Sequence, residues 1–238
     1  MRIRVKTFVV FDLEEGYMEA YWKMRQVIGG IFHLLTRMEV EGAENIPKEG
    51  GCLLVTNHIS RLDTPALLVA ATRRIYPLAA DKYKTFPVFN WLLNISEAIW
   101  INRTEFDREA LLNSIDVLKR GDVLGIAPEG TRSRSGTLQR AKSGVAFLAA
   151  RTGVPIVPVG ITGTNTMVQD FTRLRRMQIY VTFGEAFYLP KYGKLTAEEL
   201  EATTDLIMGR LAALLPQVRR GVYAAADEAA NAAPLAAT

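Results

Sequence analysis

Cys52-Leu53-Leu54-Val55-Thr56-Asn57-His58-Ile59-Ser60-Arg61-Leu62-Asp63-Thr64-Pro65 decides how the chain is read. An apolar run, 52–55, gives way to a polar stretch, and Thr64-Pro65 opens an apolar-periodic segment. Pro suits the first helical turn and Thr the N-cap, so the stretch reads as strand, loop and helix. His58 falls in the loop and Asp63 just ahead of the helix. On one continuous helix five residues advance by about 500°, and the two side chains would point roughly 140° apart. A loop folded back on itself removes that objection. The Asp63 carboxylate then accepts the Nδ1 proton of His58, leaving Nε2 free to take a proton from a substrate hydroxyl. The bland alternative is a solvated loop in which the pair falls five apart by chance.

Working outward, strand-like and helix-like runs alternate. Strands are expected at 38–41, 52–56, 75–80, 98–102, 123–127, 154–161 and 179–183. Helices are expected at 64–73, 86–94, 107–120 (closed by Gly121) and 140–152 (ended by Gly153). Thr196-Ala197-Glu198-Glu199 is a capping box that opens a helix to about residue 215. Residues 42–51 read as a polar loop, and a basic, irregular stretch precedes 179–183. The alternation predicts an α/β fold with a mixed, largely parallel central sheet flanked by helices. One domain is expected for 238 residues. Its bounds are drawn at 38–220, with a helical segment at 1–37 and an Ala-rich tail at 221–238.

Composition narrows the chemistry. A net charge of +4 permits an anionic partner without demanding one, and no nucleic-acid partner is expected. The single cysteine, Cys52, excludes an internal disulfide and argues against a thiolate-rich metal site; no metal is expected. As a residue in a predicted strand it reads as a small buried hydrophobe. Lys6, Asp12, Glu14 and Glu15 interrupt the early apolar residues, so no secretory signal is read there. The longest apolar candidate, 26–36 between Arg25 and Arg37, is too short to span a bilayer.

Residues 14–38 read as a helix with a candidate break at Gly29-Gly30. It carries Tyr17, Met18, Tyr21, Trp22, Met24, Val27, Ile28, Ile31, Phe32, Leu34 and Leu35 nearly all round, with Lys23, Arg25 and Arg37 between them. Two readings are open: an interfacial membrane-docking helix with cations near lipid phosphates, or a helix buried by the domain core or a dimer partner. His33 within it reads as structural or interfacial.

Parallel α/β sheets place ligand sites beyond the carboxyl ends of their strands. Three polar constellations follow predicted strands here: Asn57-His58 to Asp63, Arg103, and Pro128-Glu129-Gly130-Thr131-Arg132-Ser133. Taken singly, Arg103 is a surface Arg, and Glu-Gly-Thr-Arg a turn with Glu129 paired to Arg132. Taken together they make an anion site. A guanidinium binds phosphate bidentately, and Gly130 lets backbone N–H groups approach. Lys142 on the next helix adds charge, whereas Arg134 and Arg140 read as solvated. No Walker-type loop and no G-x-S-x-G elbow occurs. A base beside a phosphate site points to direct attack by the hydroxyl of a phosphorylated alcohol.

Asn57-His58-x4-Asp63, Ile99-Trp100-Ile101-Asn102-Arg103, Pro128-Glu129-Gly130-Thr131-Arg132-Ser133 and Val154-Pro155-Ile156-Val157-Pro158-Val159 resemble, in order and spacing, the glycerolipid acyltransferases with an HxxxxD motif. Bacterial 1-acyl-sn-glycerol-3-phosphate acyltransferases are the most similar members, and the resemblance covers roughly 38–190. It implies transfer of a fatty acyl group from acyl-CoA or acyl carrier protein to the sn-2 hydroxyl of 1-acyl-sn-glycerol-3-phosphate, giving phosphatidic acid. His58 would be the general base and Asp63 its orienting group. Arg103, Glu129, Gly130, Thr131 and Arg132 would bind the acceptor, with no cofactor beyond the acyl carrier. A helical N-terminus docking on the bilayer is also implied, with the protein peripheral at the cytoplasmic face of the cell membrane. Other acceptors (glycerol-3-phosphate, another lysolipid), a non-catalytic lipid-binding homologue and a thioester hydrolase are the alternatives. Glu97 stands where the family has Gly, Asn102 where Asp is common, and Ala127 where an aromatic is frequent. A carboxylate at 97 would repel a phosphate unless it points away or pairs with a cation.

Overall fold

The structure, a computed structural model, describes residues 13–103, 107–173, 175–190 and 195–225. Within these, seven strands form one sheet: β1 (Thr36–Glu41), β2 (Cys52–Thr56), β3 (Ile75–Ala80), β4 (Ile99–Ile101), β5 (Val123–Ile126), β6 (Ile156–Thr162) and β7 (Met177–Phe183). The order is β1-β7-β6-β2-β5-β3-β4. From β6 to β4 every pairing is parallel; β7 joins β6 antiparallel, and β1 joins β7 parallel. The sheet is mixed and largely parallel, as expected.

β2 lies inside the sheet and is buried along its whole length. That is why 52–55 is a continuous apolar run and not an alternating one. Its side chains still divide by face. Cys52 and Leu54 join a core with α1 (Leu13–Leu35), α2 (Asp63–Ala70) and α3 (Pro87–Ile95). Leu53 and Val55 join a second core with α4 (Arg108–Lys119), α5 (Gly144–Thr152) and α7 (Ala197–Ala213). The sheet is thus sandwiched between two helical layers. Its carboxyl edge, from β2 to β4, is left to loops.

Several boundaries differ from expectation. α2 starts at Asp63, so Thr64 is not its N-cap, and the Asp63 carboxylate sits in the first turn, where the helix dipole favours negative charge. α5 starts at Gly144 and not at 140, because Gln139 and Lys142 donate backbone N–H groups to Glu129 and the Pro128 carbonyl. A six-residue helix, α6 (Met167–Thr172), lies within the stretch read as irregular. Residues 221–225 are not tail. Tyr223 is buried and its hydroxyl accepts the Ala141 N–H at 3.0 Å. The remaining Ala-rich stretch, 226–238, lies outside the described residues.

α1 is continuous through Gly29 and Gly30. Its buried and exposed apolar residues lie on adjacent faces. Tyr21, Met24 and Phe32 are in the core, while Val27, Ile31 and Leu34 are 60%, 50% and 73% exposed. Those three recur at i, i+4 and i+7 and form one stripe. Arg25 is not a lipid-facing cation. Its guanidinium donates to the carbonyls of Val69 (3.0 Å) and Ala71 (2.5 Å) and closes the end of α2. Among the described residues no helix is long and apolar enough to cross a membrane.

Candidate active site

The loop after β2 folds back as the five-residue spacing requires. His58 Nδ1 lies 2.9 Å from Asp63 Oδ2. The same oxygen accepts the backbone N–H groups of Ile59 and Ser60, each at 2.7 Å. Those two donors wrap the loop around the carboxylate and hold Asp63, which is 2% exposed, as an acceptor. An ionised carboxylate only accepts, so Nδ1 carries the proton and Nε2 is left as the free lone pair. Asn57 anchors the start of the loop. Its amide donates to the Ile161 carbonyl and accepts the Ile161 N–H, both at 2.8 Å, extending the β2–β6 pairing by one side chain.

The Glu-Gly-Thr-Arg stretch grips this loop from the β5 side. Glu129 Oε1 accepts the His58 N–H at 2.9 Å, and Ser133 N–H donates to the His58 carbonyl at 2.7 Å. The other Glu129 oxygen accepts the Gln139 N–H at 3.0 Å. Burial pushes the Glu129 carboxyl above its ordinary value, against the pull of the Gln139 and His58 donors. Glu129 was expected among the acceptor contacts and, in the bland reading, as a partner of Arg132. It is instead 4% exposed, with both oxygens committed to the scaffold of His58.

Two apolar cavities meet at the end of β4. A small one, about 70 Å³, lies on the α2–α3 side and is lined by His58, Asp63, Arg61, Leu67, Phe89 and Arg103. A larger one, about 430 Å³, lies on the α4–α5 side, with Arg103, Ile101, Leu111, Gly130, Lys142 and Phe147 in its wall. The larger falls within the range of small-molecule sites. Arg103 borders both. Burial lowers its pKa from the ordinary value, with Tyr83 pulling the other way. Gly130 adopts φ 67 and lies against Lys142, whose Cε would sit 3.0 Å from a Cβ at that position. Arg103, Gly130 and Lys142 therefore line one cavity, and of the three Arg103 also lines the smaller cavity with His58. Thr131, exposed, and Arg132, half-buried, line neither cavity.

Glu97 points away. It precedes β4 at the amino edge of the sheet, whereas Arg103 follows the carboxyl edge, roughly 20 Å of extended chain later. Its carboxylate is paired with Arg74, which stacks on Tyr21 and Tyr76. Glu97 also has φ 49, the left-handed conformation that glycine adopts freely. The turn thus takes a glycine-like backbone while its side chain stays at the amino edge of the sheet, on Arg74. Cys52 is inert: burial pushes its thiol up to about 12.

One contact at the site has no counterpart in the sequence reading. Thr164, just beyond β6, donates its hydroxyl to Asp63 Oδ1 at 2.5 Å. The signal that finds it is the rule that found the others. β6 runs parallel beside β2, so a polar residue after its carboxyl end lies next to His58.

The sequence matches a family model described as Acyltransferase over residues 37–162. It is 28% identical over 183 residues to the 1-acyl-sn-glycerol-3-phosphate acyltransferase of Borreliella burgdorferi, covering 76% of this chain and 72% of that protein. It is 30% identical over 143 residues to the Pseudomonas aeruginosa protein of the same name, covering 59% of this chain and 52% of that one. A chloroplastic relative from Brassica napus is 30% identical over 135 residues, 56% of this chain and 39% of that protein. Among solved structures, the 1-acyl-sn-glycerophosphate (LPA) acyltransferase PlsC of Thermotoga maritima superposes with a TM-score of 0.64 at 27% identity, covering 83% of this chain and 80% of that one.

Proposed function

The chain belongs to the acyltransferase family, and on that premise we propose that it moves a fatty acyl group from an acyl thioester to the sn-2 hydroxyl of 1-acyl-sn-glycerol-3-phosphate. The observation that carries this reading is the His58–Asp63 pair, bonded through Nδ1, in the wall of the small apolar cavity that Arg103 also lines and that Arg103 links to the larger one. The acceptor phosphate binds Arg103, with Lys142 and the backbone at Gly130 beside it. The acceptor hydroxyl then lies against His58. Nε2 takes its proton as the oxygen attacks the thioester carbonyl, and Asp63 steadies the imidazolium. The tetrahedral adduct collapses by breaking the C–S bond, and the imidazolium returns its proton to the departing thiolate. Products are phosphatidic acid and free thiol, with acyl-CoA or acyl carrier protein as the donor. The names of the relatives support the acceptor, which those proteins are named for.

The acceptor lives in a bilayer, and the exposed Val27-Ile31-Leu34 stripe supports peripheral docking of α1 at the cytoplasmic face of the membrane. The other face of α1 stays in the core.

An acceptor panel with one acyl thioester tests the assignment. Lysophosphatidate should release thiol and form diacyl product faster than glycerol-3-phosphate or lysophosphatidylcholine. Arg103→Ala should raise the KM for lysophosphatidate about tenfold or more, the loss of one charge-assisted contact. Equal turnover of phosphate-bearing and zwitterionic acceptors, or an unchanged KM, would overturn it.

A further inference from the structure

We infer that Thr164 is a positioning residue for the catalytic pair: its hydroxyl fixes the plane of the Asp63 carboxylate so that Oδ2 faces His58 Nδ1. The inference rests on reading His58 as base and Asp63 as its orienting group. It goes beyond the family match, which ends at residue 162.

The geometry is specific. Oδ2 of Asp63 accepts three donors: His58 Nδ1, Ile59 N–H and Ser60 N–H. All three pull on one oxygen. Turning the carboxylate about its Cβ–Cγ bond displaces both oxygens together, so a donor on the second oxygen adds to the restraint that keeps the acceptor lone pair on the ring. Thr164 supplies the donor at the other oxygen, at 2.5 Å, within the range of charge-assisted O–H···O⁻ bonds. Both partners are buried, Thr164 at 1% and Asp63 at 2% exposure, so water does not readily replace the hydroxyl.

The chain is built to deliver that hydroxyl. β6 ends at Thr162, beside β2 in the sheet. Gly163 then adopts φ 84, and a Cβ there would lie 1.7 Å from the Gln178 carbonyl oxygen. Only glycine fits the turn. Thr166 N–H closes it on the Gly163 carbonyl, and Thr164 emerges one residue past the corner, opposite α2. Asp63 is therefore held from its own loop and from a strand end 101 residues away.

The test compares Thr164→Val, which keeps the shape and removes the donor, with Thr164→Ser, which keeps the donor. Both are assayed for thiol release from an acyl thioester with lysophosphatidate, on protein whose folded fraction is known from melting curves. Thr164→Val should lower kcat about 10- to 100-fold, as expected for losing a hydrogen bond to a charged group, with the acceptor KM within about twofold. Thr164→Ser should keep kcat within about threefold of wild type. In an Asp63→Asn background, Thr164→Val should cost little more. Wild-type kcat in Thr164→Val, equal loss in Ser and Val, or additive losses in the double variant would overturn the inference. Should Thr164→Val fail to fold, Thr164→Ala gives the same comparison. Undiminished activity in His58→Ala would instead strike the base assignment, a failure distinct from that of Thr164.

Discussion

At the scale of single residues, the site is a set of constraints on one imidazole. The His58 backbone is clamped by Glu129 and Ser133, and its ring by Asp63. Glu129→Gln replaces a carboxylate that accepts at both oxygens with an amide that accepts at one. It should cost about 1–3 kcal/mol of stability and lower kcat at least about tenfold, read from melting curves and thiol release. Burial raises the Glu129 pKa. Between the ordinary glutamate value and the raised one, the folded chain holds more protons than the unfolded chain. This group's contribution to stability therefore falls as pH rises through that window. Glu97 gives the opposite contrast. Glu97→Gln leaves the half-buried Arg74 without its anion, and among the described residues Arg74 Nε already lacks a hydrogen-bond partner. The variant should melt earlier, by about 1–2 kcal/mol, with kcat unchanged, since the pair lies at the far edge of the sheet. A fall in kcat at constant KM would place Glu97 in the chemistry after all.

At the scale of elements, α1 is the informative one. Gly30 is helical and exposed, and a Cβ there meets nothing within 4 Å. Gly30→Ala should raise stability by about 0.5–1 kcal/mol, visible as a higher Tm. Its outer stripe is separable from its core face. Substituting Val27, Ile31 and Leu34 together by Ser should leave the fold intact and reduce co-sedimentation with anionic liposomes; undiminished binding would assign membrane contact elsewhere. Both faces of α1 were open in the sequence because its apolar residues run nearly all round. Which face is buried depends on α2 and α3, which no local pattern reports. The capping box at Thr196 was readable for the contrary reason, since both of its hydrogen bonds are local.

At the scale of the whole molecule, the βα alternation made the parallel sheet readable, and with it the convergence of three strand ends on one edge. What was not readable depended on distant partners. The roles of Glu129, Arg25 and Thr164 are each set by residues ten or more positions away. The start of α5 shifted for a like reason, its expected first turn being drawn into contacts with the loop at 128–129. The departure at Glu97 was visible, but its direction was not, because Arg74 lies 23 residues before it. The most direct test of His58 as the base of an acyl transfer is diacyl product formation from lysophosphatidate and an acyl thioester, by wild-type and folded His58→Ala protein side by side. The wild type should form phosphatidic acid with one thiol released per product. His58→Ala should be slower by about 10²- to 10⁴-fold, the range for a general base. Thiol release that ignores the acceptor and yields free fatty acid, or equal rates in the two proteins, would contradict it.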